Sequence, residues 1–126
     1  MSKVMYLASP YTHKLSLIRE YRYRAVMENT ARLLSAGKLV YSPITHCHEM
    51  AVHYNLPKDF EFWMNYDHAM IERCEVFGVL LLPDWTKSEG VQAEIAYAKQ
   101  LEKPIAMLDP EGYYAEELRK LAESLY

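Results

Sequence analysis

Two carboxylates stand where an amphipathic helix should be apolar. At about 100° per residue, Val91, Ala98 and Leu101 form one stripe of a helix, with Gln92, Lys99 and Lys103 opposite. Glu94 falls in the middle of that stripe, so it should face the protein interior. There burial raises its pKa unless a partner holds it charged. A Glu that merely complements the helix dipole would face solvent instead. The preceding helix repeats the anomaly. Phe60, Trp63, Met64, Met70, Ile71 and Cys74 mark its apolar face, Lys58, Asn65 and Glu72 the solvated side, and Asp67 lies at the centre of the apolar face. A buried Asp can simply cap a neighbouring loop. Two acids on core-facing stripes, flanking one apolar run, instead suggest a nucleophile and an acid kept in different environments, as glycosidic chemistry requires.

The elements that must position these acids are short and regular. Residues 4–8 form an apolar run closed by Ser9-Pro10, read as a buried strand. Residues 15–36 read as a helix with Tyr23, Val26, Met27, Thr30, Leu33 and Leu34 at helical spacing and Gly37 at the C-cap. A second strand at 39–41 is stopped by Ser42-Pro43. Pro57 precedes a helix over 59–73, and 76–82 is the most apolar stretch and the expected central strand. A loop at 83–87 leads to the Glu94 helix over 88–102. A fourth strand at 104–108 and a helix at 114–124 close the chain. Strands alternating with helices predict one α/β domain over residues 1–126, Rossmann-like (flavodoxin-like), with a mostly parallel four- to five-stranded sheet and helices on both faces. Ligands of such sheets bind outside the carboxyl ends of the strands. The segments that should line the site are therefore 8–13, 42–48, 83–88 and 109–112.

Bulk properties narrow the partners. At 126 residues the chain has room for one core. Its net charge of -3 gives no basic footprint for a nucleic-acid polymer. No apolar run approaches the ~20 residues needed to span a bilayer. Two cysteines, Cys47 and Cys74, need no disulfide, and the Met-Ser-Lys start enters a strand at once without a signal sequence, so a cytoplasmic location is expected. Eleven tyrosines suggest a subunit interface.

Several residues carry weaker signals. Ser88 at a helix start is a favoured N-cap, and Gly90 beside it lets a ligand approach N–H groups that attract anions. His46, His48 and His53 have a spacing that permits metal binding, but no carboxylate or cysteine set completes a site, so no metal and no cofactor are expected and a pocket wall is the better reading of His46. Arg19, Arg22 and Arg24 read as a solvated face or subunit contact, unless one turns to the first loop to meet phosphate.

Taken together the residues resemble the nucleoside 2-deoxyribosyltransferase superfamily across nearly the whole chain. The resemblance rests on Tyr6-Leu7-Ala8-Ser9-Pro10, on Asp67, and on Ser88-Glu89-Gly90-Val91-Gln92-Ala93-Glu94 followed by Ala98. It implies that Glu94 attacks the anomeric carbon to form a glycosyl-enzyme, that Tyr6 orients it, and that Asp67 assists departure of the base. The transferases carry an Asp six residues before the nucleophile, where this chain has Ser88. Ser there resembles the branch that hydrolyses 2-deoxynucleoside 5′-monophosphates, because a carboxylate would repel a 5′-phosphate that a hydroxyl and helix N–H groups would hold. Ser9 and Pro10 at the end of the first strand would adjoin the substrate, and Trp85 would stack on the base or shield the core. The expected partner is thus a small nucleoside or nucleotide. Base exchange by a transferase and a non-catalytic nucleotide sensor are the competing readings. Family members assemble as oligomers, so a homo-oligomer is implied, in which the Tyr126 carboxylate could reach a neighbour's pocket.

Overall fold

A computed structural model describes residues 2–125. The elements run β1 (Val4–Ala8), α1 (Ser16–Ser35), β2 (Leu39–Tyr41), α2 (Pro43–His53), α3 (Phe60–Arg73), β3 (Val76–Leu80), a 3-10 turn (Trp85–Lys87), α4 (Glu89–Gln100), β4 (Ile105–Leu108) and α5 (Tyr113–Leu125). The four strands form one wholly parallel sheet in the order β2-β1-β3-β4. This is the single Rossmann-like α/β domain expected.

Strand alternation divides the core in two. Tyr6, Ala8, Phe77 and Val79 point to one face and pack with Val91, Ile95 and Ala98 of α4 and Ile71 of α3. Leu7 and Leu80 point to the other and meet Ile18, Ala25 and Val26 of α1 and Leu118 of α5. Fully burying a side chain such as Phe77 or Leu80 contributes roughly 1.5–3 kcal/mol. Gly78 leaves room for the Met5 side chain to lie over β3, since a Cβ there would stand 2.5 Å from the Met5 sulfur. The predicted helix stop at Gly37 is a Schellman turn, with φ +85° and Lys38 N–H donating to the Leu33 carbonyl at 3.0 Å.

The sheet order reverses between β1 and β3, because the chain leaves β1 for β2 on one side and later returns to the other. That switch point opens a crevice at the strands' carboxyl ends, directly beneath the start of α4.

Some expectations need completing or correcting. Residues 42–48, expected to line the site but given no element, are the start of α2, and Pro43, Ile44, Cys47 and His48 do line the crevice. Ser42 caps α2 by accepting from Thr45 N–H at 3.2 Å, with Pro43 in its first turn. β3 stops at Leu80, short of 82. Leu101, placed on the buried stripe, is the exposed C-cap of α4, and Met27, Leu34 and Phe60 are exposed as well. The buried stripe of α4 is Val91, Glu94, Ile95 and Ala98. No helix of the described residues is long and apolar enough to cross a membrane. Tyr126 lies outside the described residues.

Candidate functional site

The crevice is a partly open cleft lined mainly from the end of β1, from α2 and α3, and from the start of α4. Its floor is acidic. Glu94, 9% exposed, projects from the second turn of α4 into it, and Asp67 enters from α3. Beneath them lies Tyr6, 0% exposed, whose hydroxyl donates to Glu94 Oε1 at 3.1 Å. The Tyr6 ring stacks on Phe77 with centroids 5.6 Å apart, so sheet packing fixes where that hydroxyl points.

Asp67 and Glu94 are near enough to act on each other's ionisation. Burial pushes the Glu94 carboxyl well above its ordinary range, and the Asp67 charge pushes it further, while the Tyr6 hydrogen bond opposes both. Burial also raises Asp67, against the lowering pull of its contacts with Glu94, His68 and Tyr6. The Tyr6 phenol is held well above its usual value by burial and the two acids, so it stays a donor. The two acids thus stand in different electrostatic settings, as carboxyl pairs that divide acid and nucleophile roles do. Asp67 Oδ1 is buried with no hydrogen-bond partner among the described residues. A buried acceptor without a partner costs stability, and a ligand donor or proton would relieve it.

Donors collect on one wall. Ser88 is the N-cap of α4, its Oγ accepting from Val91 N–H at 3.2 Å, which leaves its own hydrogen to donate. Gly90 adjoins it and lines the cleft. A Cβ there would meet nothing closer than 4.0 Å, so the helix start stays open to a ligand. Ser9, 8% exposed, lines the cleft from the end of β1 with a buried, unpartnered hydroxyl. Apolar side chains complete the lining: Pro57, Phe60 and Trp63 from the α3 side and Ile44 and Ala51 from α2. The Trp63 indole N–H donates to the Pro57 carbonyl at 2.7 Å, which fixes the ring.

Of the residues singled out in the sequence, Glu94, Asp67, Ser88, Gly90 and Ser9 line this one cleft, and Tyr6 supports it from below. Three do not line it. Trp85 packs against the β1–β3 core and borders a separate recess with Pro110 and Gly112, so it shields the core and segment 109–112 serves that recess. Pro10 is fully buried behind the cleft. His46 faces Tyr41, with ring centroids 6.1 Å apart, and its neighbour on α2, His48, takes the cleft position. His48 also meets carboxylates that the sequence did not bring to it: its ring and the Glu20 and Glu49 carboxylates offer ligand atoms within 4.8 Å of one another. Arg19 and Arg22 do turn to the first loop, donating to the His13 and Thr12 carbonyls respectively. Tyr11, Lys58 and Trp63 line the cleft without having been singled out. The aromatic Trp63 was read only as core, and no local pattern marks Tyr11.

The family model described as a domain of unknown function, DUF1937, matches residues 3–109. The chain belongs to this family. Its matched span runs from β1 to just past β4 and holds every cleft residue named above. No curated protein matches the chain.

Proposed function

We propose that this DUF1937 member is an N-glycosidase that hydrolyses 2-deoxynucleoside 5′-monophosphates through a glycosyl-enzyme intermediate. One observation carries the reading: Glu94, oriented by Tyr6, shares the floor of one cleft with a second carboxyl, Asp67. A carboxylate held by a buried phenol suits a nucleophile, and a second carboxyl beside it suits an acid.

In the proposed reaction Glu94 attacks C1′ as the C1′–N bond breaks. The bonding pair leaves on the base nitrogen, which takes the proton held by Asp67. Positive charge developing at C1′ favours ionised Glu94, with the proton on Asp67. Asp67, now ionised, takes a proton from water as that water attacks C1′ and frees Glu94. The Ser9 and Ser88 hydroxyls and the first-turn N–H groups of α4 hold the 5′-phosphate, and the base lies against Trp63 and Phe60. The likeness to the nucleoside 2-deoxyribosyltransferase superfamily supports the same assignment.

Transfer to a second base is the competing reaction, and Ser88 in place of an acid speaks against it. A sensor without turnover has no need of a carboxyl dyad kept at the cost of desolvation. A homodimer and a cytoplasmic setting accompany the proposal. Incubating the chain with nucleosides and their 5′-monophosphates and following free base tests it. Base release from monophosphates in water, without an acceptor base, supports hydrolysis. Release that depends on an added base makes it a transferase, and none from any substrate overturns the reading.

A further inference from the structure

Beside the acids a second chain of polar groups, centred on a buried histidine, runs from α1 to the cleft. His48 on α2 is 5% exposed, and its ring stacks on Tyr23 with centroids 4.0 Å apart. One face of that chain is carboxylate: His48 Nε2 lies 2.8 Å from Glu20 Oε2 of α1. The other is phenol: His48 Nδ1 lies 2.7 Å from the hydroxyl of Tyr11, on the loop after β1. Tyr11 and His48 both line the cleft.

In its Nε2–H tautomer the His48 ring donates to the Glu20 carboxylate and accepts at Nδ1, where the Tyr11 O–H donates. Burial, assisted by Glu20 and opposed by Arg19, raises the Tyr11 pKa, so the phenol keeps that hydrogen. With its hydrogen committed to His48, the Tyr11 oxygen can only accept from a ligand. The same wall thus offers two complementary features. Ser9 and Ser88 have hydrogens to donate, which suits a phosphate's oxygens, whereas Tyr11 offers a lone pair, which suits a hydroxyl. The apolar wall of Phe60 and Trp63 offers neither. A 2-deoxynucleoside 5′-monophosphate has one free sugar hydroxyl, on C3′.

We propose that Tyr11 is a ligand-binding residue that accepts a hydrogen bond from the sugar 3′-hydroxyl, and that Glu20 and His48 are positioning residues that hold it in the accepting state. The proposal rests on the nucleotide reading of the cleft. Occupation of Nε2 by Glu20 also engages the nitrogen that a cation at the Glu20–His48–Glu49 cluster would need.

The test measures binding of 2-deoxy- and 2′,3′-dideoxynucleoside 5′-monophosphates by calorimetry in a Glu94→Gln background, where turnover is suppressed. The 3′-hydroxyl should strengthen binding about tenfold, the scale of one hydrogen bond to a buried acceptor. Adding Tyr11→Phe should abolish that preference and leave dideoxy binding unchanged. Glu20→Ala, which does not touch the cleft, should weaken the preference, and the His48 ¹⁵N spectrum should change from the Nε2–H form to a mixture of tautomers. A purely structural role for Glu20 would lower affinity for both ligands equally. No preference for the 3′-hydroxyl, or a preference that survives Tyr11→Phe, overturns the proposal. If the preference behaves as stated but wild-type protein releases no base, the glycosidase reading fails and the Tyr11 assignment stands. Base release without a Tyr11-dependent preference overturns the Tyr11 assignment alone. Failure of every monophosphate to bind overturns both.

Discussion

Tyr6 and Glu94 are 88 positions apart in sequence, yet the Tyr6 hydroxyl donates to Glu94 Oε1 at 3.1 Å from inside the core. The sheet face holds the donor and α4 the acceptor, so the bond registers helix against strand. It also fixes one oxygen of Glu94 and leaves the other to its surroundings, where Asp67 waits. The arrangement is maintained against a desolvation cost, and that cost is measurable.

Glu94→Gln should stabilise the protein at neutral pH. The folded-state pKa of Glu94 is raised above the unfolded value of ~4.3, so the native state binds more protons than the unfolded state between the two values. Stability is fully present below ~4.3 and falls as pH rises through the folded pKa. Gln removes this loss while keeping the shape and offering Asp67 an N–H. A gain of ~1 kcal/mol raises Tm by roughly 3–6 °C in a domain of this size. The rise should be largest at pH 8 and vanish near pH 4. An equal Tm difference at all pH values would show that Glu94 is not held protonated.

Asp67→Asn should slow substrates with poor leaving bases far more than activated ones. Proton transfer to a departing group contributes typically ~10²–10⁴-fold, and an activated base needs less of it. Comparing a natural base with a nitro-substituted one measures this. Uniform slowing across leaving groups, or a collapsed Tm, would assign Asp67 a structural role.

Ser88→Asp should reverse the preference for phosphate. Asp is as good an N-cap as Ser, so α4 should persist. Loss of charge-assisted hydrogen bonds worth roughly 1.5–3 kcal/mol each, with like-charge repulsion added, should cost monophosphates at least ~10-fold. Competition between a deoxynucleoside and its monophosphate on both proteins reads it. An unchanged preference would remove Ser88 from phosphate recognition.

The two tryptophans should separate cleanly. Trp63→Ala should weaken nucleotide binding by about 5- to 100-fold, since stacking on a base is worth ~1–3 kcal/mol. Trp85→Ala should leave binding unaltered and lower Tm, because Trp85 packs against the core and borders a different recess. Titrations on the two variants check this. Equal losses of affinity would place the base elsewhere.

The acids were legible in the sequence because a charge on an apolar stripe stands out against period-3.6 patterning. Glu94, Asp67 and the strand-borne Tyr6 meet as the pattern and the resemblance led one to expect. α2 was hidden by the same logic. Ile44, Cys47, His48 and Ala51 recur at helical spacing, but a histidine occupies one apolar position and Ser42-Pro43 reads equally as a strand stop. Its side chain is buried because Glu20 and Tyr11 satisfy both ring nitrogens, partners supplied by α1 and the β1 loop that no local pattern reveals. Trp85 and Trp63 could not be told apart, since which wall an indole meets depends on how loops 83–88 and 54–59 fold back. Several tyrosines have partners within the fold, since Tyr6 holds Glu94, Tyr23 backs His48 and Tyr41 donates to Tyr66 at 2.8 Å, while Tyr54 and Tyr113 are exposed.

The central claim is a covalent bond between Glu94 and C1′, and mass spectrometry of the acid-quenched reaction tests it most directly. Wild-type protein mixed with a 2-deoxynucleoside 5′-monophosphate and quenched during turnover should carry one sugar-phosphate adduct, mapped to the peptide containing Glu94. Glu94→Gln should carry none and should turn over at least ~10³-fold more slowly, the scale of losing a group that acts in the chemical step. An adduct on another residue, or base released at wild-type rates by the Gln variant, would contradict the account.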